Sequence, residues 1–256
     1  MSQPPDDADI AACADLVRRG DPARFRAVMA APVAMRRMLF PLYAFNIEVA
    51  RAPWVTKEPM IAEMRLQWWR DALGEIAGEG AVRRHEVVTP LAAVLDVAGA
   101  RALDDLVAAR RSDIEGLRPG TEAELTRYLD RTSGTLLWTA ARLSDATDEA
   151  AARAAGRAHG IAAWLTAGPD LVARGRQPLP PGDPDARIRE IAETGLVALD
   201  RFRAAKMPRA ARAVFLVLSD VEALLRAFRT VPGEIPELSD AGSRWRLLRA
   251  SLTGRV

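Results

Sequence analysis

The sequence predicts an all-α protein built as a single domain. The chain of 256 residues is 49% hydrophobic and only 5% aromatic, with Ala and Leu dominant and β-branched runs few, a composition that favours helices. Apolar residues recur at three- and four-residue spacing, which places them on one face of a helix, and no stretch alternates as a strand does. Pro, Gly and capping residues punctuate the chain at helix-length intervals, and no Gly/Ser/Pro-rich linker separates one half from the other. A chain of this length can bury one large core.

Taken in order, residues 1–20 read as an N-terminal segment, frayed up to Asp6 and helical over 7–19 until Gly20 supplies a C-terminal cap. Residues 21–256 read as the domain proper. Asp21-Pro22 opens a helix with Asp as N-cap and Pro in the first turn; Phe25, Val28 and Met29 form its apolar side. Residues 36–73, RRMLFPLYAFNIEVARAPWVTKEPMIAEMRLQWWRDAL, organise the rest. A first helix carries Met35, Leu39, Leu42, Tyr43, Ile47 and Ala50 on one face and ends at Ala52-Pro53, because the residue before a proline is pushed out of the α region. A second starts at Glu58-Pro59 and sets Ile61, Met64, Arg65, Trp68, Ala72 and Ile76 on one side. Trp68 and Trp69 cannot both face one core.

Gly78-Glu79-Gly80 is a turn. Thr89-Pro90 starts a helix with Leu91, Val94, Leu95 and Val97, punctuated at Gly99, and Leu103, Leu106 and Val107 continue the pattern to Ile114. Pro119-Gly120-Thr121 is a boundary, with Thr121 and Glu124 spaced as a capping box. The following helix runs to Ser144. Gly134 inside it costs ~1 kcal/mol against Ala, which predicts a close helix crossing. Residues 145–174 form a long helix, kinked or ended near Gly168-Pro169, then a proline-rich loop over 177–184. Residues 185–205 bury Ile188, Ile191, Leu196 and Leu199. Pro208 begins one helix through Phe228, and a last helix over 240–252 presents Trp245 and Leu248.

The formal charge is +2, and Lys57 and Lys206 are the only lysines. The arginine bias is that of a GC-rich genome, and no basic run interleaved with aromatics marks nucleic-acid binding. Cys13 is the only cysteine, so neither an intramolecular disulfide nor a thiolate metal site is available, in keeping with a reducing compartment. The N-terminus lacks signal- and transit-peptide features, and no window reaches the ~20 apolar residues of a membrane span. The expectation is a cytoplasmic protein, at most peripheral to the inner membrane.

The runs LYAFNIEVAR, MRLQWWRDAL and, far downstream, ARGRQPLP (173–180) resemble the squalene/phytoene synthase family over most of the chain. Its enzymes are head-to-head prenyl transferases with the isoprenoid-synthase fold, so the resemblance implies helices around a central apolar cavity. The closer likeness is to a motif-poor branch that includes a mitochondrial assembly factor of respiratory complex I. That branch implies a complex I subunit or assembly intermediate as partner and a prenyl chain or lipid as ligand.

The family's enzymes hold Mg²⁺ on two Asp-rich motifs, because hard cations need several oxygen ligands and departing diphosphate needs charge compensation. Aligned here, those places fall on Ala50, Arg51 and Trp54, and on Ala167 and Leu171. Glu48 and Asp170 stand nearby without acidic partners. No catalytic residue, metal ligand or cofactor is therefore assigned, and a non-catalytic protein is expected. The alternatives are a prenyl transferase with Glu48 and Asp170 as displaced Mg²⁺ ligands, and a plain lipid or isoprenoid carrier.

A polar shell remains. Arg36 and Arg37 match an arginine region beside the diphosphate in the family, although they read equally well, with Arg70, as surface charges. Tyr43, Asn46, Glu48, Arg65, Gln67, Trp68, Tyr128, Asp170, Arg174 and Arg176 are the other cavity or anion-binding candidates. A Glu48–Arg65 pair would fill the space of the metals. Asp145/Glu149, Asp104-Asp105 and Asp183/Asp185 read as a helix start, a solvated face and a loop. His85 is expected in an exposed turn, and His159 as a satisfied helix histidine rather than a ligand or base.

Overall fold

Prolines and polar caps set the helix boundaries much as local chemistry requires. The computed structural model describes residues 7–56 and 58–256; the expected fraying at 1–6 falls outside the described residues. α1 (Asp7–Gly20) and α2 (Pro22–Ala30) lead into α3 (Val33–Arg51), a 3₁₀ turn at Ala52–Trp54, α4 (Pro59–Gly74) and a wide turn at Glu75–Glu79. Next come α5 (Val88–Ala92), α6 (Val97–Ala109), α7 (Arg111–Ile114), α8 (Glu122–Leu129), a π-helical turn at Asp130–Gly134 and α9 (Thr135–Arg142). α10 (Glu149–Ala173), α11 (Pro184–Ala204), a 3₁₀ stretch at Arg209–Leu218, α12 (Val221–Thr230) and α13 (Asp240–Thr253) complete the order. No strand occurs among the described residues, and no helix of theirs is long and apolar enough to cross a membrane.

Two caps work as the sequence foretells, at Asp21 and Thr121, and two more, at Asp148 and Asp183, were not foreseen. The Asp21 carboxylate accepts the Arg24 backbone N–H at 2.8 Å, and Thr121 Oγ1 accepts that of Glu124 at 3.2 Å. Glu124 reaches back to the Gly120 N–H at 2.8 Å, one residue earlier than a capping box prescribes. Asp148 caps α10 and Asp183 caps α11 in the same manner, each satisfying an N–H that the helix start leaves orphaned.

α3 and α10 occupy the middle of the bundle. Residues 39–45 of α3 are buried on every side, as expected of a helix wrapped by others; α1, α2, α5 and α9 cover it. Pro41 lies inside α3 without ending it. α10 packs against α8, α9, α11 and α12. The close crossing foreseen at Gly134 exists, but its enabling residue is Gly156 of α10. A Cβ there would stand 2.5 Å from Ser133 O and 2.6 Å from Gly134 Cα, whereas one at Gly134 would meet nothing nearer than 3.6 Å.

Several expectations need correction. α4 buries Ala62, Leu66, Trp69, Ala72 and Leu73; Ile61, Met64 and Arg65 point outward, Met64 being 66% exposed. The rotation follows from Trp69, which packs edge-on against Phe45 of α3 at 5.4 Å and takes the core place the sequence left open between the two tryptophans. Gly99 is no break: Asp96 caps α6 by accepting the Gly99 N–H at 2.8 Å. The stretch 121–144 is interrupted by the π turn, and 208–228 divides into a 3₁₀ stretch and α12. Met29 is exposed rather than on a packed face. His85 is half-buried, its ring 5.0 Å from Trp68 and 5.7 Å from Trp69.

Candidate functional site

A cavity of about 340 Å³ opens between the end of α3, α6–α8 and the second half of α10. Ala50 and Trp54 come to it from α3 and the turn behind it, and Ala167, Asp170 and Leu171 from α10. The two stretches aligned with the family's Asp-rich motifs thus converge on one space. Leu117, Leu129, Ala163, Trp164 and Pro178 supply apolar wall, and Trp164 fixes the α10–α11 loop by donating its indole N–H to Pro178 O at 2.9 Å.

One wall is a closed polar triangle. The Tyr128 hydroxyl donates to Asp113 Oδ1 at 2.6 Å and accepts from Arg110 Nη1 at 2.7 Å. Arg110 also meets Asp113 Oδ2 at 3.2 Å. Burial pushes the Tyr128 phenol well above its ordinary range, the Asp113 charge adding to this against the opposing pull of Arg110. The triangle therefore holds a neutral phenol between an anion and a cation. At the mouth, Arg174 and Arg176 lie over the Trp54 ring at 5.4 and 5.1 Å. The turn at Gly116 (φ +78°) admits Arg176, since a Cβ there would lie 2.4 Å from its guanidinium.

On the other side of α10 lies a larger cavity of about 640 Å³, sharing Ala163, Ala167 and Asp170 with the first and bordered by Asp21, Arg26 and His159. Behind it sits a second Tyr–Arg–Asp group. The Arg24 guanidinium covers the Tyr43 ring at 4.7 Å, pairs with Asp21 at 3.3 Å and approaches His159 Nε2 at 3.5 Å. The Tyr43 hydroxyl, Arg24 Nε and His159 Nδ1 have no hydrogen-bond partner among the described residues. His159 is thus not the satisfied helix histidine expected. Burial, reinforced by the Arg24 charge, lowers its pKa to about 3, so the imidazole is neutral. Burial likewise pushes the Tyr43 phenol up to about 12. Burial pushes the Asp21 carboxyl up as well, but the Arg24 charge, the Arg24 backbone N–H and the further charges around it together outweigh burial and hold it below the usual carboxylate range.

Of the residues singled out by sequence, Tyr128, Asp170, Arg174 and Arg176 line the first cavity. Tyr43 is fully buried behind the second, and Asn46 is half-buried on α3. Arg36 donates to Met29 O at 2.8 Å, and Arg37 pairs with Asp7 at the surface. Gln67 is exposed and donates to Asp71 at 2.7 Å. Trp68 is half-buried under the Arg83 guanidinium at 4.7 Å. The expected Glu48–Arg65 pair does not form: Glu48 pairs with Arg51 at 3.4 Å, and Arg65 faces outward because α4 is rotated. Arg70 is bound bidentately by Asp104 at 2.7 and 2.8 Å. Arg24, Arg110, Asp113 and Trp164 escaped sequence reasoning; an Arg-x-x-Asp pair at 110–113, one helical turn apart, was the visible signal for two of them.

Solved structures share this fold. The fold is similar to that of a dehydrosqualene synthase solved with a ligand, at a TM-score of 0.76 and 14% identity over 96% of each chain. It is also similar to squalene synthase HpnC from Alicyclobacillus acidocaldarius, at 0.70 and 18%, covering 87% of this chain and 94% of that one. In sequence, the chain is 33% identical over 178 residues to the Drosophila melanogaster homolog of NADH dehydrogenase (ubiquinone) complex I assembly factor 6, covering 66% of this chain and 52% of that one. The Homo sapiens assembly factor 6 is 26% identical over 172 residues, 61% of this chain and 48% of its own. The chain thus spans about half the length of these relatives. The squalene/phytoene synthase family profile matches residues 17–255, and the chain belongs to the squalene/phytoene synthase family.

Proposed function

We propose that this chain is a non-catalytic member of its family that acts in the assembly of respiratory complex I and holds a prenyl chain or lipid in its cavity. The supporting observation is the lining where the two stretches aligned with the family's Asp-rich motifs meet. Ala50, Trp54, Ala167 and Leu171 stand there, at the places where metal-assisted diphosphate departure would need carboxylates. Asp113 has both oxygens engaged by Tyr128 and Arg110, which leaves Asp170 as the available acid. One carboxylate does not suit a Mg²⁺ cluster, and among the described residues no group of three or more His, Cys, Asp or Glu could hold a metal ion. In this reading Arg174 and Arg176 supply fixed positive charge to an anionic headgroup at the mouth. Apolar walls hold the chain behind it.

The role in complex I assembly rests on the names of the assembly-factor relatives. Deleting the gene in its source organism is expected to lower the amount of assembled complex I on native gels, with recovery on re-expression. Unchanged complex I would remove that role. Native mass spectrometry of the purified protein is expected to reveal a retained lipid. Prenyl transfer with Glu48 and Asp170 as metal ligands lacks geometric support, since Glu48 is held by Arg51 outside the cavity lining.

A further inference from the structure

We propose that the outer face of α13 docks on an anionic lipid bilayer, its Trp-Leu ridge entering the interface while an adjoining arginine hollow takes lipid phosphate. The proposal is independent of what the central cavity holds. Trp245, Leu248 and Leu252 are 65%, 48% and 78% exposed. Their spacing of three and four residues lines them up as one ridge. This exposure is not loose packing. Ser243 and Ala250 are buried on the opposite face, and Arg246 anchors the helix to Asp220 at 2.6 Å. Gly254, at φ +66°, ends the helix tightly against Arg212.

Charge decides what the ridge meets. Residues 241–256 contain Arg244, Arg246, Arg249 and Arg255 and no carboxylate side chain, in a chain whose net charge is only +2. Arg244 and Arg249 fall on opposite flanks of the ridge at 100° per residue. Among the described residues Arg244, Arg249 and Arg255 have no ion-pair partner, the acids nearby being taken by Arg203, Arg226 and Arg246. Beside the ridge, α12 and α13 enclose a hollow of about 210 Å³ lined by Arg203, Arg226, Arg246, Arg249 and Arg255 against one acidic side chain, Glu222. The neighbouring stretch 201–219 adds Arg209 and Arg212 and again no acid.

A ridge of one Trp and two Leu flanked by arginines matches the physics of interfacial helices. The indole sits at headgroup depth, the leucines enter the acyl boundary, and guanidinium groups pair with phosphate. A second copy of the chain is a poor occupant, because symmetric pairing would set these cations against each other.

The test is flotation of the purified protein with vesicles of phosphatidylglycerol and phosphatidylcholine in roughly equal amounts, beside vesicles of phosphatidylcholine alone. The proposal expects the protein to float with the anionic vesicles only, and high salt to release it. W245S/L248S/L252S and, separately, R249E/R255E should each weaken partitioning about 10-fold or more. Both sets lie on the surface and should leave circular dichroism unchanged. The indole emission assigned by difference to Trp245 against W245F should shift to the blue on binding. No flotation with anionic vesicles would overturn the proposal, as would flotation that neither variant set weakens or Trp245-dependent self-association without lipid binding.

Discussion

The two tyrosines of this chain sit in two groups made of the same components, on either side of α10, and the groups come out differently. Around Tyr128, the hydroxyl, Arg110 and Asp113 close on one another at 2.6, 2.7 and 3.2 Å, and Arg110 Nε is left without a partner among the described residues. Around Tyr43, Arg24 lies on the ring face instead of the hydroxyl, which stays buried and, among the described residues, unpartnered, as does His159 Nδ1. A closed polar triangle in low dielectric stabilises and orients its members, whereas an open one carries desolvation cost without return. The Tyr128 group is accordingly a fixed wall of the first cavity. The Tyr43 group is held in place by the packing around it.

Breaking the closed group is expected to have the largest effect. Asp113→Ala would leave buried Arg110 without its anion and cost about 3–5 kcal/mol, lowering Tm by about 10 °C; a loss below about 1 kcal/mol in denaturant titration would show the triangle to be solvated. Next in size is the crossing that holds α10 between the groups. Gly156→Ala drives a Cβ into backbone atoms of the π turn and should cost about 1–3 kcal/mol, beyond what helix propensity returns.

A matched pair of substitutions separates the two groups directly. Tyr128→Phe should cost about 1–3 kcal/mol by stripping a partner from Asp113 and Arg110, while Tyr43→Phe should be neutral or stabilising because it removes an unsatisfied hydroxyl. Equal losses from both would erase the distinction.

The fourth effect is a pH slope. His159 has its pKa lowered from 6.5 to about 3 by burial and Arg24. The unfolded chain therefore binds a proton that the folded chain does not between those values. Stability from this group is complete above the unfolded value and falls as pH drops from about 6.5, by up to about 1.4 kcal/mol per pH unit. Denaturant titrations between neutral pH and pH of about 5 should show this slope, and His159→Gln should flatten it. An unchanged slope in the variant would mean that His159 titrates normally.

Boundaries were legible in the sequence where chemistry is local. Asp21-Pro22, Glu58-Pro59 and Thr121 start helices because a capping oxygen or a proline ring in the first turn dictates it. On α3 the face was legible only in part: Leu39, Leu42, Tyr43 and Ile47 are buried as their spacing predicts, but so is every other residue from 39 to 45. On α4 the apolar residues fit two rotations: Ile61, Met64, Trp68 and Ile76 mark the one the spacing suggested, and Ala62, Leu66, Trp69 and Leu73 mark the one that is buried. The convergence of residues 50–54 with 167–176 was foreshadowed only by resemblance, because it depends on contacts across more than a hundred residues. Gly156 carried a weaker local hint, the small-residue spacing Ala152, Gly156 and Gly160 along α10, which permits close approach of another backbone.

Whether the cavity has lost its chemistry is decided by incubating the purified protein with radiolabelled farnesyl and geranylgeranyl diphosphate, with and without Mg²⁺. Diphosphate binding and organic product would be followed on the folded protein. A non-catalytic cavity predicts no product and no binding enhanced by Mg²⁺. Product that disappears in Glu48→Gln or Asp170→Asn would contradict it and establish a rebuilt metal site at the cavity.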